Sequence, residues 1–398
     1  RAETPSVQRA LHFNHAGASP PPEPVLERVV AHLRREAEVG GYQAADEVAD
    51  ELAGVYDAIA ALLGAARDEV ALVEHATLAW TKAISSVPLG AGDVVLIAGR
   101  AEYAANMVEI LRLCKEKGCS VKVAPSDSTG QVDVDGLARC LDMEPWGRQV
   151  RLVALTHVPT NGGLVNPAEL VGAACRERGV LFLLDACQSA GQLELDVGRL
   201  GCDFLAATGR KFLRAPRGTG FLYARRSSLE RLGEPALLDH WAAPLAEDGR
   251  SYQLSGTARR FEFWEGAVAS RLGLGVAVRY FLSLGPAAVE ARVVRLAAQL
   301  RAGLWAAQVP GLEVVDLGAR RCGIVTFHLG AQGPPAAELK RALIERGAFV
   351  STSPPASTAL DAQARGLPEL LRASVHYVNT EEEVGRLVEL VSECARHW

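Results

Sequence analysis

Residues Phe204 to Tyr223 read FLAATGRKFLRAPRGTGFLY, and the reading of this stretch decides the fold. An apolar run passes through Thr208-Gly209-Arg210 to a single lysine, Lys211. It then crosses Arg-Ala-Pro-Arg-Gly-Thr-Gly and turns apolar again. A lysine set among Arg210, Arg214 and Arg217 has its ammonium disfavoured, so its pKa is expected to fall. Such an amine can act as a nucleophile and form a Schiff base. Taken alone, the stretch fits a basic loop on an edge hairpin equally well.

Outward from it the chain alternates. Apolar strand-like runs fall near residues 70–73, 94–97, 121–123, 152–155, 180–184, 204–207 and 220–223. Helical patterns lie between most of them, near 78–87, 104–117, 134–141 and 167–177. Strands apolar throughout, with helices in turn, predict an α/β fold with a mainly parallel sheet between helices. Two helices are expected before it, the first starting near Pro24 and the second ending at Gly64. After about residue 255 the pattern changes to a long helix near 287–306, a strand near 323–328, a helix near 335–346 and a last strand and helix from 372. We expect a large domain over 15–255 and a smaller C-terminal α/β domain over 256–398. The N-terminal segment 1–14 completes the small domain, and the junction lies near 256–265.

Composition excludes several classes. With 398 residues, 49% hydrophobic, 22% charged and a net charge of −5, the chain is globular and lacks the basic footprint of a nucleic-acid binder. No run of about 18 apolar residues predicts a membrane span. The opening RAETPSVQRALHF has no apolar core of a secretory signal. The eight cysteines are scattered without a CxxC pair, which fits reduced thiols in the cytoplasm and gives no metal set.

In such sheets the ligand sits beyond the carboxyl ends of the strands. After residue 73, Glu74-His75-Ala76-Thr77 leads into a helix; Thr77 is the expected N-cap, whose free N–H groups could hold a phosphate or simply end the helix. After 97 comes Tyr103, an aromatic plate or plain packing. After 155 come Thr160 and the turn Asn161-Gly162-Gly163, which fits a ligand approach or a structural turn. After 184 comes Asp185, with Gln188 beyond it. A carboxylate ending an apolar strand is costly unless a partner meets it, and a pyridinium nitrogen is such a partner. Lys211 follows 26 residues later (211 − 185), one strand-to-strand unit. An imine-forming lysine, an aspartate, a plate and anion donors together describe a pyridoxal phosphate site.

The sequence resembles the class V aminotransferase family of fold-type I pyridoxal-phosphate enzymes, which includes the cysteine desulfurases. The likeness runs from FNHAGASPPP to RASVHYVNTEEE. It implies that Lys211 carries the cofactor, that Asp185 keeps the ring nitrogen protonated and that Gln188 meets the ring oxygen. It places Ala76, Thr77, Thr208 and Arg210 at the phosphate and Tyr103 on the ring, with Thr160 beside the cofactor. Arg372 would grip the substrate carboxylate. Asn14, His15, Arg259 and Arg260 are further candidate substrate contacts, Arg259 and Arg260 fitting surface ion pairs equally well. The resemblance also implies a homodimer with sites near the interface, Gly256-Thr257 reaching toward the partner's phosphate. Arg210 and Tyr103 stand where desulfurases carry histidines, and the loop before Arg372 holds no cysteine to take up sulfur. The motifs ATGRKFLRAPRGTGFLY, HVPTNGGLVNP, ARRFEFWE and LPELLRASVHYVNTEEE are most similar to the hercynylcysteine sulfoxide lyases of ergothioneine biosynthesis. The implied reaction is β-elimination at a C–S bond of a cysteine-derived substrate, with aminotransferase or isopenicillin N epimerase-like chemistry as the alternative. Arg214 and Arg217 stay open between setting the field and touching substrate.

Overall fold

The computed structural model describes residues 1–396 and 398. Seven strands form its central sheet: β1 (Val70–Val73), β2 (Val94–Ile97), β3 (Ser120–Val123), β4 (Val150–Thr156), β5 (Leu181–Asp185), β6 (Phe204–Thr208) and β7 (Gly220–Ala224). Their order is β1-β7-β6-β5-β4-β2-β3, with β7 antiparallel to both its neighbours and the remaining pairs parallel. The two faces of the sheet bury alternate residues. Leu152, Ala154, Leu181, Leu183, Phe204 and Ala206 join one core with α3 (Ala76–Ser86) and α4 (Ala104–Lys117). Val153, Leu155, Phe182, Leu184, Leu205 and Ala207 join the other, with helix Ala49–Leu63 and the helices of the second half. A period of two on a sheet covered on both sides explains why these strands read as unbroken apolar runs.

The same parity positions the site. Thr156, Asp185 and Thr208 are the next residues on the α3–α4 face, two beyond Ala154, Leu183 and Ala206, and they end three neighbouring strands. Three polar side chains therefore emerge together at one edge of the sheet.

The smaller domain is an antiparallel sheet of Glu313–Val314, Ile324–His328, Ser351–Ser353 and Leu370–Ser374, backed by helices Pro286–Ala306, Ala336–Glu345 and Glu381–Arg396. Leu11–His12 pairs in parallel with Ala348–Phe349, so the N-terminal segment is a strap across this domain.

One helix escaped the sequence reading. Val268–Leu284 packs on Glu23–Val39 and Ala49–Leu63, and the chain bends by 80° into Pro286–Ala306 at Gly285. Gly273 is the reason for both the packing and the miss. A Cβ there would run into Val29 and Pro216, so the residue that reads as a helix breaker is what lets the helices approach. Among the described residues no single helix is long and apolar enough to cross a membrane.

Candidate active site

Asp185 ends β5 with its carboxylate buried. Oδ2 accepts from the Asn106 amide at 2.8 Å and Oδ1 from the Cys187 N–H at 2.8 Å. Each carboxylate oxygen thus has a donor of its own. Beside it β6 ends, and Lys211 follows in the turn. Burial disfavours the Lys211 ammonium most; Arg210 and Arg372 add to the depression, while Cys187 and Asp185 oppose it. Of the three arginines that the sequence offered as the cause, Arg210 contributes, but burial comes first. Arg214 takes no part in the site: it is fully buried and donates to Pro20 O at 2.9 Å, Thr4 Oγ1 at 2.6 Å and the Tyr377 hydroxyl at 2.7 Å. It clamps the N-terminal strap to the Lys211 loop, and Arg217 is exposed.

The small domain contributes Arg372, on strand Leu370–Ser374. Its Nη1 donates to Thr160 Oγ1 at 2.7 Å and to Thr160 O at 3.2 Å, while Nε is buried without a partner. Burial lowers its pKa to about 10, so at neutral pH it is a charged fork with unused donor capacity. Thr160 also meets Gln188, whose Nε2 lies 3.4 Å from its hydroxyl and 3.2 Å from Ala16 O; Gln188 Oε1 has no partner. In the Asn161-Gly162-Gly163 turn, a Cβ on Gly163 would strike Arg301, Asp316 and Ile324 O, so close approach of the small domain explains this glycine.

The phosphate candidates lie around β7. Val73 and Thr208 both pair with Gly220, and a Cβ on Gly220 would touch His75, so the 75–77 turn sits one strand from Thr208. Helix α3 starts at Ala76, not at 78, because His75 is the cap: its Nδ1 accepts the Leu78 N–H at 3.1 Å. Thr77 is therefore an exposed first-turn residue with its hydroxyl available. The Thr208 hydroxyl donates to Thr219 O at 3.2 Å, and Arg210 donates to Gly17 O.

Five other candidate contacts are engaged within the fold. His15 is sealed in a cluster with His12 and His376, ring centroids 4.7 and 5.2 Å away, and bonds Ser19 Oγ at 2.9 Å; burial holds its pKa well below the usual value. Arg260 turns inward onto Ser255 O at 2.8 Å and Leu229 O at 3.2 Å. Arg259 lies 3.2 Å over the Tyr56 ring and pairs with Glu262 at 3.3 Å. Thr257 caps the short turn Ala258–Phe261. Asn14 bridges to Ser374, with Oδ1 buried and unpaired.

Sequence reasoning passed over Glu102 and Asn106. Glu102 is buried, and its Oε1 accepts from Thr156 Oγ1 at 2.6 Å, Asn106 Nδ2 at 2.8 Å and the Tyr103 N–H at 3.0 Å. The signal available was a glutamate just ahead of a helix with an asparagine four residues on. It carries weight only once Asp185 is known to lie beside both. Tyr103 is the N-cap residue of α4 and is partly exposed.

A desolvated amine beside a buried carboxylate, with Gln188 Oε1 and Arg372 Nε unspent, suits an aromatic group bearing a cationic ring nitrogen and an aldehyde. The donor set fits pyridoxal phosphate. Comparison with known proteins agrees with this geometry. The model of the class-V aminotransferase family matches residues 11–387, and the chain belongs to that family, whose cofactor is pyridoxal phosphate. A probable cysteine desulfurase of Methanothermobacter thermautotrophicus is 27% identical over 99% of this chain and 97% of its own. A probable hercynylcysteine sulfoxide lyase of Mycobacterium tuberculosis is 30% identical over 98% of this chain and 91% of its own. Among solved structures, a cystine C-S lyase in complex with cysteine persulfide superposes with a TM-score of 0.86 at 22% identity, covering 98% of this chain and all of that one. The cysteine desulfurase of Thermococcus onnurineus superposes at 0.88 and 21%, covering 100% and 98%.

Proposed function

We propose that the chain is a pyridoxal-phosphate-dependent carbon–sulfur lyase acting on an S-substituted cysteine sulfoxide, of which hercynylcysteine sulfoxide is the leading candidate. The observation that carries this is the lack of a thiol acceptor. Residues 323–393 contain no cysteine, so the segment leading into Arg372 has none. Cys322 is buried, its thiol pushed up to about 11, and burial likewise raises Cys187 beside Asp185. Neither is the exposed thiolate that sulfur uptake needs. A sulfenate departs without such an acceptor.

When bound, the cofactor supplies an electron sink for negative charge at the α-carbon. Arg372 holds the α-carboxylate through its unspent donors. Lys211, as the neutral amine favoured by its burial, takes the α-proton. The Cβ–S bond then breaks with its electron pair leaving on sulfur. The proton passes to the departing sulfenate, and 2-aminoacrylate takes up water to give pyruvate and ammonia. Incubated with S-alkylcysteine sulfoxides, the loaded protein is expected to release pyruvate and ammonia in equal amounts, with little sulfide from free cysteine. Absence of pyruvate from every S-substituted cysteine and sulfoxide tried, cofactor being bound, would sink the elimination reading.

The working unit we propose is a homodimer. Tyr42, Trp241, Trp264 and Leu245 are exposed, and all but Leu245 line a cavity of about 710 Å³ that Arg259 and Glu262 also border. A second copy covering this face would bring Thr257 toward the partner's site. Sedimentation at the 42.3 kDa monomer mass would refute it.

A further inference from the structure

Glu102 is a buried carboxyl that the elimination chemistry does not use. Its hydrogen bonds explain its position but not its charge. Oε1 accepts all three donors, and Oε2 is buried without a partner. A glutamine carbonyl would accept the same three bonds with no charge to desolvate. Keeping an acid in this place costs free energy, and what the acid has that the amide lacks is the ability to carry a negative charge. The Asn106 amide shows where that charge is directed. Its Nδ2 bonds Glu102 Oε1 and Asp185 Oδ2, both at 2.8 Å, so one –NH₂ spans the two carboxyls.

We propose that Glu102 is a positioning residue that, through Asn106, orients Asp185 toward the cofactor's ring nitrogen and places a second negative charge behind it. Burial is the main cause that raises the Glu102 pKa, to about 7, with Asp185 adding to it against the three hydrogen bonds. From β5 it faces Asp185, from β4 Thr156, and from the start of α4 Tyr103 and Asn106. Asp185 is the charged group acting on it, and Arg100 on the same loop is turned away to Asp361 at 2.8 Å. Two like charges this close are tolerated when a cation sits against one of them, and the protonated ring nitrogen is such a cation. Ionisation of Glu102 around pH 7 adds one negative charge behind Asp185, so the potential at the ring rises in magnitude across neutrality.

The proposal holds whichever sulfur substrate is used, because the test needs no substrate. Wild type and Glu102→Gln are loaded with pyridoxal phosphate, and the Lys211 Schiff-base absorbance is titrated against pH. One negative charge fewer near the site favours loss of the imine proton, so the Glu102→Gln midpoint is expected to lie lower by about one pH unit. Glu102→Asp, which keeps a carboxylate, is expected to move the midpoint back toward wild type. If Glu102→Gln does not fold, Thr156→Val removes one donor from the same oxygen, keeps the carboxyl protonated to higher pH and shifts the midpoint the same way. Coincident midpoints in wild type and in whichever of the two variants folds would overturn the proposal, whatever happens to turnover.

Discussion

Replacing Lys211 by alanine is expected to lower pyruvate formation by at least about 10³-fold, the range over which a positioned general base acts. Two roles end at once: the amine that carries the cofactor and the base that takes the α-proton. Burial depresses its ammonium first, with Arg210 and Arg372 adding, so the neutral amine is populated at lower pH than for a free lysine. Lys211→Arg should be as inactive as Lys211→Ala, because a guanidinium stays protonated at any working pH. The cofactor itself should still bind, because Asp185 is held by Asn106 and Cys187 and not by the lysine. The diagnostic pair of results is therefore lost Schiff-base absorbance with cofactor retained on gel filtration. A small primary amine added to Lys211→Ala should recover a measurable fraction of turnover. Activity within tenfold of wild type in Lys211→Ala would place the base elsewhere.

The parts of this molecule that could be read from the chain are those set by short-range pattern. Unbroken apolar runs separated by helical spacing marked the sheet, and the residues that follow those runs placed Asp185 and Thr208 at strand ends. Lys211 and Asp185 were legible because each breaks an apolar run with a charge at a strand end. What was not legible depends on approach between distant segments. Helix Val268–Leu284 carries Gly273 for the sake of Pro216, which no local rule detects. Arg214 looked like a field-setting neighbour of Lys211, yet its partners are Thr4, Pro20 and Tyr377, far away in sequence. His75 displaced Thr77 as the cap because its Nδ1 reaches the Leu78 N–H, a role histidine seldom advertises. The Glu102–Asn106 pair gains its meaning from Asp185, 79 residues beyond Asn106.

Arg372, which reaches from the small domain to Thr160, is the proposed grip on the substrate's carboxylate, and its replacement gives the second large effect. Arg372→Ala is expected to lower kcat/KM by about 10²-fold or more, the cost of removing one side of a buried charge contact, with most of the change in KM. Arg372→Lys should recover little. An ammonium is a point charge and cannot hold a carboxylate bidentately. Burial, already strong enough to bring the guanidinium down to about 10, would also penalise a lysine there. Part of the loss is structural, because Nη1 also ties Thr160 O and Oγ1 and so steadies the turn that carries Gln188's neighbour. The two contributions separate by changing the substrate and not the protein. A cysteine sulfoxide whose α-carboxylate is replaced by a carboxamide removes the charge that Arg372 is proposed to meet. Wild type should then lose on the carboxamide the charge-dependent part of what Arg372→Ala loses on the carboxylate, and the variant should barely distinguish the two substrates. If Arg372→Ala costs the carboxamide as much as the carboxylate, the arginine supports the Thr160 turn and the substrate's carboxylate is held by another group.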